Sequence, residues 1–590
     1  MKTIQKVKSR EFIRPLKRIP KVYGEKHFFV FDVETKIEND THNFVFAYAL
    51  EYRPSKKKFN DLNEKIKRCS KYHFFKSREE LTKFLFAINV KGGKKKKTTR
   101  TIFAHNLEYD IKFLRFDIVK KAGFELKKFM INPTYLVFVD KKRDLRITFI
   151  DTFNFYKTSL EKLFPNEKVS IDFEKYDYKD LSILKKRCKV DVFLTAKLVH
   201  DLKGVSASDL SFKIFRESNV YVQKIETPLA KNSYYGGRVE CYVNNLRIPN
   251  INYYDFNSLY PSVMKGNIFP IKYVQTIENP SIEFVKEVIK RNFFVFAEVE
   301  VNIPEDINIP PFPFKGEDNK LYFPVGKFKT VLAQPEIMLG LEKGFIEKFY
   351  KIEIYYAKEI FTDFVKKYYS LRQQNPGRKE YYKLILNSLY GKFGQREHET
   401  KLIQVEETDF IGDFEMEGEK YYVFNGYGFK TKVLEKRKYN VAIASAVSSY
   451  ARVKLYKMME KAKFNVVYCD TDSIFTTEIL PTSEKLGDLK LECSGEFLGF
   501  RAKCYIIKDK VKFKGAKVSL NLLNKLPEKV VIELNKFPTL REYIKNKGVI
   551  KNVKVIKEFD LNDDKRKGKG VTKPYKVEEL IRRWGKNGKC

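Results

Sequence analysis

Three acidic residues mark where this chain could do chemistry. Asp470 and Asp472 sit two positions apart in Cys469-Asp-Thr-Asp472, between a strand-like run, Phe464–Tyr468, and a returning one, Ser473–Thr477. Asp255 ends another strand-like run, Ile251–Asp255, which leads straight into Phe256-Asn257-Ser258-Leu259-Tyr260-Pro261, where Ser258 and Pro261 suit a helix start. A hairpin tip with two carboxylates, beside a third at a strand end, can hold two divalent ions about 4 Å apart for in-line displacement at phosphorus. Between these segments Lys383, Asn387, Tyr390 and Gly391 recur at i, i+4, i+7 and i+8, one face of a helix, with Leu384 and Ile385 on the packing side. On that face the Lys offers a point charge to a triphosphate, the Tyr a flat surface to a base, and the Gly close backbone approach. Singly, such a hairpin tip or helix face is ordinary solvated surface. Together they describe a nucleotide site.

A second acidic set lies in the first third. His27–Val33 reads as a buried strand that carries Asp32 and Glu34 on one face, since residues i and i+2 of a strand project together. Thr101–Ala104 is another strand-like run, followed by His105-Asn106-Leu107-Glu108-Tyr109-Asp110 at a helix start. Asp191 opens the apolar-periodic segment Val192–Leu202. Asp32, Glu34, Asp110 and Asp191 are the donors a two-metal phosphodiesterase needs, with Asn106 placed to bond DNA and Tyr109 to stack on an unpaired base.

The elements that position these residues alternate between strand-like and helix-like runs, which predicts mixed α/β domains without solenoid repeats. At roughly 100–200 residues per domain, 590 residues suggest three to five domains. Lys+Arg 115 against Asp+Glu 75 leaves a net charge of +40, which points to a polyanionic partner. With 43% hydrophobic and 15% aromatic residues the chain is not disordered. No apolar run approaches the ~20 residues of a spanning helix, and the basic start lacks the apolar core of a secretory signal, so no membrane is expected. Seven scattered Cys without CxxC spacing, and six His, predict reduced thiols in a cytosolic protein without a zinc cluster. Lys91–Arg100 reads as a flexible basic insertion, Asn302–Lys315 as a Pro-rich break and Arg372–Arg378 as a break before a helix. From about Asn521 the Lys-rich remainder, ending in RRWGKNGKC, reads as a separate small basic module.

The motifs resemble those of family B DNA polymerases and of the DEDD-type 3′–5′ exonuclease domain that accompanies them. FDVET and HNLEYD resemble the first two exonuclease motifs, Asp151-Thr152-Phe153 resembles a single-strand-binding motif with Phe153 in the Leu place, and Lys168-Val-Ser-Ile171 fits a Kx2h pattern. The third motif, Yx3D, departs from the family: Arg187 takes the Tyr place if Asp191 is the acid, whereas Tyr176–Asp180 matches literally. Asp191 is favoured because the expected helix follows it, and the missing Tyr puts the exonuclease rate in doubt. DFNSLYP resembles motif A, KLILNSLYG motif B and YCDTDS motif C, with Lys503-Cys504-Tyr505 as KxY and Tyr234-Tyr235-Gly236-Gly237 as YxGG. The resemblance implies metal binding by Asp255, Asp470, Asp472 and the Phe256 carbonyl. It implies dNTP binding by Lys383, Asn387, Tyr390, Tyr260, Leu259 and Ser258, with Tyr260 as the steric gate against ribose. Lys503 and Tyr505 would hold the primer end, and Tyr234, Gly236 and Gly237 would contact template. Thr152, Phe153 and Lys168 would contact single-stranded DNA. Ser448-Ser449-Tyr450-Ala451-Arg452 resembles Tx2GR, making Arg452 a phosphate contact.

Asp255 and Lys383 are 128 positions apart, more than a palm-to-fingers connection needs. That excess, and a further stretch after motif B, resemble the terminal-protein regions of protein-primed members, which replicate linear phage, viral and plasmid genomes. The implied fold is a multidomain α/β chain with an RNase H-like exonuclease domain and a right-handed polymerase. The expected division is 1–212 basic extension and exonuclease, 213–266 palm, 267–361 first insertion, 362–395 fingers, 396–437 second insertion, 438–520 palm, and 521–590 thumb and basic C-terminus. Implied cofactors are two Mg²⁺ per active site, with Mn²⁺ as a substitute. Implied partners are primer-template DNA, dNTPs, a terminal protein and a single-stranded-DNA-binding protein, for a monomer in the cytoplasm (the host's, if virus or plasmid encoded). The alternatives are a nucleic-acid-primed family B polymerase and an exonuclease with a non-catalytic DNA-binding region.

Overall fold

The computed structural model describes residues 12–16, 20–88, 98–130, 133–169, 171, 176, 178–218, 220–404, 411–416, 419–424, 427–524, 529–538, 542, 549–562 and 565–585. Most of the basic loop Lys91–Arg100 and the last residues of the C-terminal run, including Cys590, lie outside them. The other six cysteines are free thiols. Among the described residues no helix is long and apolar enough to cross a membrane.

Two seven-stranded sheets organise the chain. In the first, Phe28–Glu38 is the hub, antiparallel to Thr41–Tyr52 and parallel to Thr98–Ala104, which in turn runs parallel to Leu145–Asp151. Alternation along the hub strand is clean. Phe28 and Val30 enter one core, which also holds Val192, Ala196 and Val199 of the helix Ser182–His200. Phe29, Phe31 and Val33 enter a separate core on the other face. Asp32 and Glu34 continue the first series, so strand parity alone aims them at Ser182–His200.

The second sheet is antiparallel, in the order Val239–Cys241, Val466–Asp470, Ser473–Thr476, Leu246–Phe256, Leu489–Arg501, Cys504–Ile507, Lys510–Phe513. The helix Val441–Lys461 belongs to the core behind it, and its residues Val441–Ser449 are all buried. Within the 267–361 stretch, Phe269–Glu278, Ile346–Lys358, Phe293–Ile303 and Gly326–Ala333 form a four-stranded antiparallel sheet of their own. The helices Thr362–Gln374 and Lys379–Phe393 follow, and Arg396–Gln404, Tyr427–Arg437, Glu419–Phe424 and Ile411–Met416 form another four-stranded sheet.

Two sequence expectations change here. The break assigned to Arg372–Arg378 begins at Asn375: Arg372 stays helical, and the chain turns at Asn375 (φ −127°, ψ 77°), where the following Pro376 disfavours helical geometry. The C-terminal stretch is not one separate module. Its hairpin Lys529–Lys536/Val553–Asp560 leads to contacts with the first sheet's unit, where His42 N donates to Ile550 O (2.9 Å) and Lys112 Nζ to Pro538 O (2.8 Å). Residues 565–585 instead pack against 304–326, with Val325 N donating to Tyr575 O (3.0 Å) and the Trp584 ring stacked parallel to Phe314. Gly316 is required there, since a Cβ would lie 2.5 Å from the Trp584 ring.

A buried ion triad locks that junction. Glu240 accepts from Arg238 Nε (2.6 Å) and faces Arg566 Nη1 (3.6 Å), all three being at most 2% exposed. Glu240→Gln should destabilise the protein by about 3–5 kcal/mol by leaving two buried guanidinium groups without their counter-charge. Denaturant unfolding measures the loss.

Candidate nucleotide and nuclease sites

The hairpin Val466–Asp470/Ser473–Thr476 lies beside Leu246–Phe256, and backbone bonds set the three carboxylates together. Phe256 N donates to Asp472 O (2.8 Å), Asp472 N to Asp470 O (2.6 Å), and Thr471 N to Arg238 O (2.7 Å). Thr471 takes a left-handed conformation (φ 61°), and Gly237 leaves room for it, since a Cβ there would lie 2.7 Å from Thr471 Cγ2. Burial and the nearby Asp472 push Asp255 up to about 7, while burial and Asp470 raise Asp472. Lys503 Nζ stands 3.1 Å from both Asp470 carboxylate oxygens, and Lys503 N donates to Tyr468 OH (2.9 Å). Tyr505 is half-buried, its ring packed on Tyr468 and Phe475.

Above this set runs Lys379–Phe393. Tyr382, Ile385, Leu386 and Leu389 are buried, leaving Lys383, Asn387 and Gly391 exposed and Tyr390 half-buried along the other side. Lys383 is close enough to lower the pKa of Asp255. Tyr390 stacks on Tyr260 (centroids 4.2 Å, 17°). Two residues that the sequence did not single out join the site. Arg372 Nη1 donates to Ser258 Oγ (2.9 Å), and Glu492 adds negative charge near Asp255.

In the first sheet Asp32, Glu34, Asp110 and Asp191 line one cavity of about 360 Å³ together with Asn106, Tyr109, Tyr178 and Arg187. Asp110 Oδ1 accepts from Val33 N (3.2 Å), and Asp151 Oδ1 accepts from Asn106 N (3.0 Å) and Phe153 N (2.8 Å), pinning Asn106 in a left-handed turn. Burial first, then repulsion from Asp191, pushes Asp32 up to about 7, and burial first, then repulsion from Asp32, pushes Glu34 up to about 8. Lys168 pairs with Asp191, and Arg187 with Glu34 (3.2 Å). Asp180, the literal alternative, is exposed, and its carboxylate accepts from Ser182 N (2.8 Å) and Ser182 Oγ (3.0 Å).

Several expected contacts are corrected. Arg452 does not reach a phosphate: it is buried against Glu336 (2.8 Å) and donates to Tyr235 O and Gly236 O (both 3.0 Å), propping the Tyr234–Gly237 turn. Thr152 is fully buried, bonding Ala104 O and His105 Nδ1, whereas neighbouring Phe153 is 39% exposed. Leu259 points into the core, so its side chain cannot meet a nucleotide, and Ser258 Oγ is engaged by Arg372. Tyr109 lines the cavity, held by Thr35 Oγ1 (2.6 Å) and packed on Phe537. Gly236 is exposed, and Tyr234 is half-buried beside Arg437.

Both carboxylate sets suit hard divalent cations. Crowded buried carboxylates retain protons unless a cation offsets them, and in the set on the first sheet oxygens of Asp32 and Glu34 and the Cys188 sulfur lie within 4.8 Å of one another.

Residues 164–479 match the family model "DNA polymerase type B, organellar and viral". The chain belongs to this family. A probable DNA polymerase of Neurospora intermedia is 24% identical over 485 residues, covering 66% of this chain and 49% of that one. The DNA-directed DNA polymerase of Enterobacteria phage PRD1 is 27% identical over 284 residues (46% and 48% covered), and that of Bacillus phage Nf 24% over 443 (64% and 71%). The chain spans about half the length, or less, of the Neurospora intermedia and Ascobolus immersus relatives, 49% and 40%. Phi29 DNA polymerase, solved with primer-template DNA and incoming nucleotide, superposes with a TM-score of 0.67 over 91% of this chain and all of that one, at 16% identity. At that identity the likeness is one of fold, a multidomain mixed α/β architecture.

The raised Asp255, Asp32 and Glu34 lead to a pH prediction. Because these acids keep protons near neutrality and metals bind the ionised form, Mn²⁺ binding should release protons and weaken as pH falls from about 8 to about 6. Calorimetry in buffers of differing ionisation enthalpy measures the release.

Proposed function

We propose that the chain is a DNA-directed DNA polymerase that adds dNTPs to a 3′-OH and removes 3′-terminal nucleotides at a second site, in protein-primed replication of a linear genome. The observation that carries this reading is the meeting of Asp255, Asp470 and Asp472 with the exposed Lys383–Asn387–Tyr390 face of one helix. A carboxylate set alone fits many hydrolases, but the basic and aromatic helix face beside it fits a nucleoside triphosphate.

Asp255, Asp470 and Asp472 would hold the divalent ions, which when bound supply Lewis-acid stabilisation of the attacking and leaving oxygens. Lys383 would hold the triphosphate. Tyr260, stacked on Tyr390, would sit under the incoming sugar and exclude a 2′-OH. Lys503 would orient the primer terminus through its ion pair with Asp470. At the second site Asp32, Glu34, Asp110 and Asp191 would hold ions, with exposed Phe153 stacking on the unpaired strand.

The separate sheets within 267–361 and 396–437 support the priming subtype, since each interrupts the polymerase core at a place where protein-primed members carry insertions. We assign the first to terminal-protein contact and the second to encircling DNA for processivity and strand displacement.

Asp472→Asn should reduce primer extension by more than about 100-fold, beyond the usual cost of an outer-shell change, with 3′-end degradation retained. Unaltered extension would overturn the assignment. Tyr260→Val should admit ribonucleotides, read by incorporation on a defined template. Asp32→Ala with Glu34→Ala should abolish degradation of a labelled 3′ end. An initiation assay comparing an oligonucleotide primer with a candidate terminal protein decides the priming mode.

A further inference from the structure

Arg187 is an odd occupant of a carboxylate cavity. It lies one helical turn before Asp191 on Ser182–His200, so both side chains project from one face toward Phe28–Glu38. Its guanidinium Nη1 stands 3.2 and 3.4 Å from the two oxygens of Glu34. The Arg187 side chain is 22% exposed and the Glu34 side chain 7%, so the cation is reached from the cavity mouth while the carboxylate lies beneath it. Glu34 is also one of the three groups whose donor atoms cluster closely enough to share an ion with Asp32. One carboxylate therefore has two claimants, a resident guanidinium and an incoming metal.

We propose that Arg187 is a built-in competitor for the metal of the nuclease cavity, released by the DNA phosphate that the cavity receives. Without DNA, the ion pair with Glu34 opposes metal binding. A guanidinium binds phosphate through the same planar pair of N–H donors that it offers a carboxylate, so an entering phosphodiester gives Arg187 a second partner and frees Glu34 for the ion. Metal and DNA 3′ end then strengthen each other's binding, as linkage requires. Lys168 pairs with Asp191, and its charge acts on Glu34 less than that of Arg187 does. The inference rests on the reading of this cavity as a metal-dependent nuclease site.

The test is Mn²⁺ titration of the full chain, followed by the electron paramagnetic resonance signal of the free ion. Measurements are made with and without a single-stranded oligonucleotide bearing a hydrolysis-resistant phosphorothioate 3′ end. Without DNA, Arg187→Gln should bind Mn²⁺ roughly fivefold more tightly than wild type, the scale of losing one partly exposed ion pair, and Arg187→Lys should fall between them. The oligonucleotide should tighten Mn²⁺ binding in wild type and do so much less in Arg187→Gln. Unchanged or weaker binding in Arg187→Gln, or equal tightening by the oligonucleotide in both proteins, would overturn the proposal. Asp32→Asn added to Arg187→Gln separates the two levels of inference. Loss of the gained affinity places the ion in this cavity, whereas its persistence would sink the metal-site reading along with the role of Arg187.

Discussion

Carboxylates repel one another, and a fold that gathers them must hold them by other means. Here the means is the backbone. Phe256 N donates to Asp472 O and Thr471 N to Arg238 O across segments, Asp472 N closes the turn onto Asp470 O, and these bonds place Asp255 beside the Asp470–Asp472 turn regardless of how the side chains repel. Burial first, then repulsion from Asp472, raises the pKa of Asp255 in that arrangement. Much of the surrounding architecture serves to keep the turn where it is. Gly237 makes room for Thr471, Arg238 offers its carbonyl, and the triad of Arg238, Glu240 and Arg566 holds Arg238 in place from behind.

The first sheet solves the same problem with side chains as well. Asp110 takes a backbone N–H from Val33, while Lys168 and Arg187 lend positive charge to Asp191 and Glu34. One carboxylate cluster is therefore set by backbone bonds, with Lys503 beside Asp470 and a distant ion triad behind it, and the other is braced by Lys168 and Arg187. In the first-sheet cavity the cation beside Glu34 is a guanidinium, whereas Asp470 faces the ammonium of Lys503.

Much of both sites was legible in the sequence. Strand parity aligned Asp32 with Glu34, hairpin geometry brought Asp470 near Asp472, and helical periodicity put Lys383, Asn387 and Tyr390 on one open face. These are local regularities, repeating every two or 3.6 residues, and they survive in the folded chain. Arg452, Thr152 and Leu259 misled because charge and residue type do not report burial. Arg452 looked like a phosphate ligand, yet it finds Glu336 116 positions away in sequence and is almost fully buried. Tyr109 likewise meets Phe537, a partner from the far end of the chain.

The net charge of +40 marked a polyanion-binding chain, and the motif order marked a type B polymerase, because both depend on residue identity and short spacing alone. Tertiary structure alone decided which charges are spent inside. It turned Arg238, Arg452 and Arg566 into internal struts, joined residues 565–585 to the 304–326 segment, and set Arg187 against Glu34. Those outcomes rest on contacts between segments tens to hundreds of residues apart. No local pattern encodes such a contact, because it exists only once the segments between have packed.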